Sequence, residues 1–255
     1  MSQKGMATAL ERLSSGLRVN RAADDAAGLA IAERFTSQIR GLSQAVRNAN
    51  DGVSMVQTGE GALGELTNAM QRMREIGVQA SNGIYNDSDR LSLDLEFQAL
   101  NDEITRIIDS TEFNDQKILQ GTNIVFQVGF QNSATDRITI SSNNLAALSA
   151  VSVVAGLTIS TVTGAGSALD VLQGAIDAIT SERAKYGAAQ NRLESTIRNL
   201  ENVVENQSAA RSRIMDADFA KETAELTRTQ ILQQAGTSML AQANQLPSNV
   251  LSLLG

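Results

Sequence analysis

Apolar residues in the first half of the chain recur at the spacing of a long helix packed lengthwise on others. Ile39, Leu42, Val46, Ala49, Val53 and Val56 follow a 3-4 rhythm, and Leu63, Leu66, Met70 and Met73 continue it. Such a rhythm predicts one continuous seam of helix-on-helix contact. It slips by about one residue at Gly59 and Gly61, the drift expected of a 3.5-residue repeat laid on a 3.6-residue helix. Ser81-Asn82-Gly83 predicts the helix end, with a left-handed cap. Asp87-Ser88-Asp89 predicts the opening of a second helix. Its apolar face reads as Leu91, Leu95, Ala99, Ile104 and Ile107 or Ile108, and it runs to about Ser110. The short link between the two helices predicts an antiparallel pair.

Past residue 113 the rhythm changes. Ile124, Phe126 and Val128 alternate with polar residues, as do Ile138 and Ile140, and residues 129–136 separate the two runs. This predicts a β-hairpin with a long loop. Residues 141–167 are nearly uncharged and rich in Ser, Thr, Ala, Val and Gly, which reads as irregular or short-stranded chain. Helix resumes near Ser167. Leu172, Ile176, Ile179, Arg183, Tyr186, Gln190, Leu193, Ile197, Leu200, Val204, Gln207, Arg211 and Ile214 hold an unbroken 4-3 spacing. Its polar members either fix register or lie half exposed at the edge of a bundle.

The final stretch breaks the usual rule for surface helices. After Arg228 no charged residue occurs before the last residue, Gly255, yet Gln, Asn, Ser and Thr interrupt the run throughout. A helix on the surface of a lone subunit normally carries Lys and Glu on its outer face. An uncharged, amide-rich helix suits burial among copies of itself, where an unpaired charge is costly. Residues 211–255 are therefore expected to lack order in a lone subunit and to be helical when assembled. The fold class that follows is mainly α: long antiparallel helices in a coiled-coil-like bundle with a small β-hairpin insertion at about 113–166.

Composition narrows the chemistry. The chain has no His and no Cys, which removes the commonest general base, the commonest metal ligand and every thiolate function. Asp24-Asp25 and Asp216 with Asp218 are paired carboxylates without such partners, so they read as local caps and turns, and no enzyme activity, cofactor or metal site is expected. The formal net charge of −7 gives no pull toward nucleic acid. Aromatics make up only 3%, which suits close packing of Ala, Leu, Ile and Val between helices. No apolar run is long enough to insert in a membrane, and 1–10 carry no apolar signal-peptide core.

Several stretches resemble the signatures of bacterial flagellins. At the start these are Glu11-Arg12-Leu13-Ser14-Ser15-Gly16-Leu17-Arg18-Val19-Asn20, Ala23-Asp24-Asp25-Ala26-Ala27-Gly28-Leu29-Ala30-Ile31 and Arg47-Asn48-Ala49-Asn50-Asp51-Gly52. Near the end they are Ala209-Ala210-Arg211-Ser212-Arg213-Ile214-Met215-Asp216-Ala217-Asp218, Gln230-Ile231-Leu232-Gln233-Gln234-Ala235-Gly236-Thr237 and Leu240-Ala241-Gln242-Ala243-Asn244-Gln245. The resemblance implies a structural subunit of an extracellular flagellar filament, self-assembling for swimming motility. Residues 1–25 and 211–255 would form the inner filament layer, and 26–210 a helical rod. It also implies type III export without a cleaved signal, and an export chaperone on the C-terminal segment. Ile231, Leu232, Met239, Leu240, Leu246, Val250, Leu251, Leu253 and Leu254 would carry chaperone binding and polymerisation. Arg72 and Ile76, with Glu96 from the next helix, would contact Toll-like receptor 5 or a neighbouring subunit. Only 1–10 precede the Glu11 motif, where the family usually has a further amphipathic segment, so weakened polymerisation onto filament seeds is expected. A hook–filament junction protein and a non-flagellar coiled-coil rod are the alternative readings.

Overall fold

The computed structural model describes residues 2–145, 147, 151 and 154–254, and for 2, 155 and 244–254 the backbone alone. The elements are α1 (Ser2–Ser15), α2 (Ala26–Ala80), α3 (Asp87–Ser110), β1 (Glu112–Phe113), β2 (Gln116–Lys117), β3 (Asn123–Gln127), β4 (Arg137–Ser141), α4 (Val162–Met215) and α5 (Phe219–Leu254). The chain forms two compact units, one of residues 41–202 and one of residues 1–40 with 203–255.

In the unit of residues 41–202, most of the expected seam of α2 is buried: Leu42, Ala49, Val56, Leu63, Leu66, Met70 and Met73 are shielded from solvent, while Val46 and Val53 are half-buried. On α4 every seventh residue from Leu172 through Ile179, Tyr186, Leu193 and Leu200 is buried, while Arg183 and Gln190 between them are half-buried. Gly52 faces Leu193, Gly59 faces Tyr186 and Gly77 faces Leu169, so α2 and α4 run antiparallel. The expected phase slip does not occur: Leu42, Ala45, Ala49, Gly52, Val56, Gly59, Leu63 and Leu66 are buried at an unbroken 3-4 spacing, and Gly59 is itself a seam position. A Cβ there would lie 2.4 Å from Tyr186 Cε1, so only glycine admits the ring. The Tyr186 hydroxyl donates to Ile118 O at 2.9 Å, which satisfies the one polar atom the ring takes inside.

Helix α2 ends where expected, but the left-handed cap at Gly83 does not form: among the described residues the positive-φ glycines are Gly16 and Gly121. Arg90 of α3 closes the end instead, its Nη1 donating to Ala80 O at 3.3 Å and to Asn82 O at 3.2 Å. A buried cation on the last carbonyls of a helix complements its negative end. Helix α3 starts with a reciprocal capping box between Asn86 and Asp89, one residue ahead of the expected Asp87. Its apolar face also differs from expectation. Leu91 and Leu95 are exposed, and Phe97, Ile104 and Ile108 are buried with Leu93 and Leu100 packed against them. The helix offers two apolar stripes, and the one meeting the core is the one with Phe97.

The expected hairpin forms, with Ile124 opposite Ile140 and Phe126 opposite Ile138. A smaller hairpin, β1–β2, precedes it. Its turn residues Asn114 and Asp115 have φ of 51° and 61°, the backbone of a tight two-residue turn that Asn and Asp tolerate. The uncharged segment after β4 is held by side chains of the helices. Asp94 Oδ1 accepts from Ile159 N at 2.7 Å, Gln98 Nε2 donates to Leu157 O at 2.7 Å, and Glu182 Oε1 accepts from Asn143 N at 2.7 Å. Buried Glu182 also pairs with Lys185 Nζ at 2.9 Å.

Burial pushes the Tyr186 phenol up to about 12, the Glu182 carboxylate adds to the rise, and a hydrogen bond with Ser142 opposes it. The unfolded chain releases this proton near pH 10, and the folded chain keeps it for about two units more. Within that window the native state binds more protons, so stability falls as pH rises, by at most about 1.4 kcal/mol per unit. Urea melts across this window are expected to show the slope, and Tyr186→Phe to remove it.

In the unit of residues 1–40 with 203–255, α1 packs antiparallel on the first half of α5. Gly5 lies against Thr229, a Cβ at Gly5 meeting its methyl at 3.3 Å, and Arg12 Nη1 pairs with Glu222 Oε1 at 3.0 Å. Ala9, Glu222 and Thr229 are buried between the helices. The two breaks before α2 and before α5 are tied together: Arg18 N donates to Met215 O at 2.6 Å and Ala217 N to Gly16 O at 2.9 Å. Gly16 has φ of 71°, which a side chain would strain.

Candidate assembly and recognition surfaces

The paired carboxylates sit in local roles. Asp24 Oδ2 accepts from Arg21 N at 2.9 Å and Asn20 N at 3.1 Å, and these backbone donors hold its carboxyl below the usual range. That contribution is present at neutral pH and fades as pH falls through the lowered value. Asp25 Oδ1 accepts from Gly28 N at the start of α2, and Asp218 Oδ1 from Ala220 N and Lys221 N at the start of α5. Both are helix caps. Among the described residues no three acidic side chains converge as a metal site, and no helix is long and apolar enough to cross a membrane.

The C-terminal helix is where an unusual surface lies. Its backbone is helical to Leu254, the form in which a helix's own hydrogen bonds satisfy its backbone. Helix α1 covers it only near Glu222 and Thr229. Beyond that, Ile231 is 60% exposed, Leu232 55%, Met239 70% and Leu240 66%. The side chains of Leu246, Val250, Leu251, Leu253 and Leu254 lie outside the described residues. An open apolar run without flanking charge is a surface built to be covered.

On α2 and α3, Arg72 Nε and Nη2 donate to Glu96 Oε1 at 3.0 and 2.8 Å, and Nη1 to Glu75 Oε2 at 3.0 Å. The hydrogen bonds it donates to Glu96, then to Glu75, raise the Arg72 guanidinium above its ordinary value. Both Arg72 and Glu96 are about half exposed. Ile76 corrects the expectation that joined it to them: it is 1% exposed, on the face of α2 turned to the core, and reaches no second molecule in this form.

Long antiparallel helices packed along continuous seams, with an exposed uncharged stretch on α5, define a mainly helical, coiled-coil-like fold. The family described as the bacterial flagellin N-terminal helical region matches residues 1–124, and the bacterial flagellin C-terminal helical region matches 169–254. A flagellin of Halalkalibacterium halodurans is 50% identical over 96% of this chain and 90% of its own length. A flagellin of Bacillus subtilis is 45% identical over 99% and 92%. The crystal structure of Bacillus cereus flagellin superposes with a TM-score of 0.54 at 32% identity, covering 60% of this chain and 88% of that one. The chain belongs to the bacterial flagellin family. It is accordingly a structural subunit of the flagellar filament that assembles with its own kind, and identity at this level to flagellins favours that reading over a junction protein.

Proposed function

We propose that the subunit joins the filament through α1 and α5 as an inner layer, and that neighbouring copies cover the open stretch of α5. The observation that carries this is the exposure of Ile231, Leu232, Met239 and Leu240 on a helix without charge after Arg228. Before assembly the same stretch, continued by Leu246, Val250, Leu251, Leu253 and Leu254, is the surface an export chaperone holds, and the subunit leaves the cell by type III export without signal cleavage. The test is incorporation: fluorescently labelled chain mixed with sheared flagellar filaments pellets with them and marks their ends. Chain that stays wholly in the supernatant removes the reading.

Arg72 and Glu96, joined in one exposed ion pair, form the patch offered to Toll-like receptor 5 or, in the filament, to a neighbour. Arg72→Ala and Glu96→Ala are expected to leave thermal melting unchanged, because surface pairs contribute little to folding. Both are expected to reduce signalling in cells bearing the receptor. Signalling equal to the unsubstituted chain would remove this patch from the contact.

A further inference from the structure

Asn82-Gly83 is the one Asn-Gly pair in the chain. It lies exposed in the turn between α2 and α3, and a Cβ at Gly83 would meet nothing. The chemistry such a pair invites is attack of the glycine nitrogen on the asparagine side-chain carbon, and three features of this turn favour it. The Gly83 N–H donates to no protein group among the described residues, so the nucleophile is not tied up. Asn82 Oδ1 accepts from Ile84 N at 3.2 Å, which polarises the carbon to be attacked. Asn82 O, the backbone carbonyl, accepts from Arg90 Nη1 at 3.2 Å.

We propose that Asn82 is a site of spontaneous deamidation that Arg90 steers toward isoaspartate. Gly83 N forms a bond to Asn82 Cγ and loses its proton to solvent. The Cγ–Nδ2 bond breaks, and ammonia leaves a five-membered succinimide. Water then opens the ring at one of two carbonyls. Addition at Cγ restores the ordinary chain with an aspartate. Addition at the backbone carbonyl breaks the bond from that carbon to Gly83 N, so the chain now runs through Cγ and the old backbone carbonyl becomes a free carboxylate. That carbonyl is the one Arg90 already holds, so the guanidinium polarises it for water and meets the new negative charge. Arg90 has capacity for it: its side chain is 9% exposed, its Nε is buried without a hydrogen-bond partner, and Asp87 Oδ1 is 3.8 Å away. A charge-assisted bond replaces a neutral acceptor.

Asn86 serves as an internal control within the same tryptic peptide, 75–90. It is followed by Asp87, whose side chain hinders attack by its nitrogen and which is the first residue of helix α3. The experiment incubates the full chain, folded and urea-unfolded, in mildly alkaline buffer. Mass spectrometry and isoaspartyl-methyltransferase labelling then follow peptide 75–90. The expected result is conversion at Asn82 and not Asn86 in the folded chain, with an isoaspartate share above that of the unfolded chain. Gly83→Ala, whose methyl hinders attack, slows conversion several-fold. Conversion confined to the unfolded chain, an isoaspartate share no higher when folded, or a rate untouched by Gly83→Ala would overturn the proposal.

Discussion

Tyr186→Ala is expected to lower the unfolding free energy by about 4 kcal/mol, the range for deleting a fully buried aromatic ring. The ring is 1% exposed and fills the space left by Gly59, with its hydroxyl on Ile118 O. Truncation leaves a cavity between α2 and α4 and strands that carbonyl. Tyr186→Phe separates the two effects and is expected to cost about 1–2 kcal/mol, the penalty of an unsatisfied buried acceptor. Gly59→Ala supplies a cross-check with a change of sign. In the unsubstituted chain its methyl strikes the ring and costs about 1–3 kcal/mol. In the Tyr186→Ala background the clash is gone, and the better helix residue gains about 1 kcal/mol. Equilibrium urea melts of the four chains give the cycle, and an unchanged sign would show that ring and glycine do not interlock.

Leu240→Glu is expected to abolish incorporation into filaments while leaving the lone subunit unaffected. Leu240 is 66% exposed, so the substitution disturbs no core contact among the described residues. Covered by neighbouring copies, the carboxylate has no charge of opposite sign on its own helix after Arg228. Burying an unpaired charge costs several kcal/mol. A cost of about 3 kcal/mol already raises the concentration needed for assembly roughly 100-fold. Sedimentation with sheared filaments, scored against the unsubstituted chain, reads the ratio. Leu240→Met keeps the apolar surface and is expected to incorporate normally, and circular dichroism is expected to match across all three.

The long helices were legible because their seams repeat over many turns, so an error at one residue is outvoted by the next. Every seventh residue of α4 from Leu172 to Leu200 is buried, as the spacing required. Helix α3 was misread in its first half because Leu91 and Leu95 form a stripe as regular as that of Leu93, Phe97 and Leu100. Only the neighbours of α3 decide which stripe is covered. Gly59 was misread as a flaw in the rhythm, and Tyr186 was visible as a seam member. Their pairing spans α3 and both hairpins, and no local signal carries it. The burial of Glu182 was likewise hidden, since its role is to satisfy the backbone at Asn143.

Among the candidate positions, the uncharged stretch of α5 was legible because the lack of charge is a property of the segment itself. Ile76 was not, because the face it occupies is set by what packs on α2. The β1–β2 turn had a signal that passed unused, the adjacent Asn114 and Asp115, whose side chains suit positive φ.

Hydrogen exchange at residues 231–243, compared between the lone subunit and pelleted filaments, tests the central claim most directly. Helix without tertiary cover opens readily, so these amides are expected to exchange fast in the lone subunit and to become strongly protected in filaments. Strong protection already present in the lone subunit, or none gained in filaments, would contradict the account.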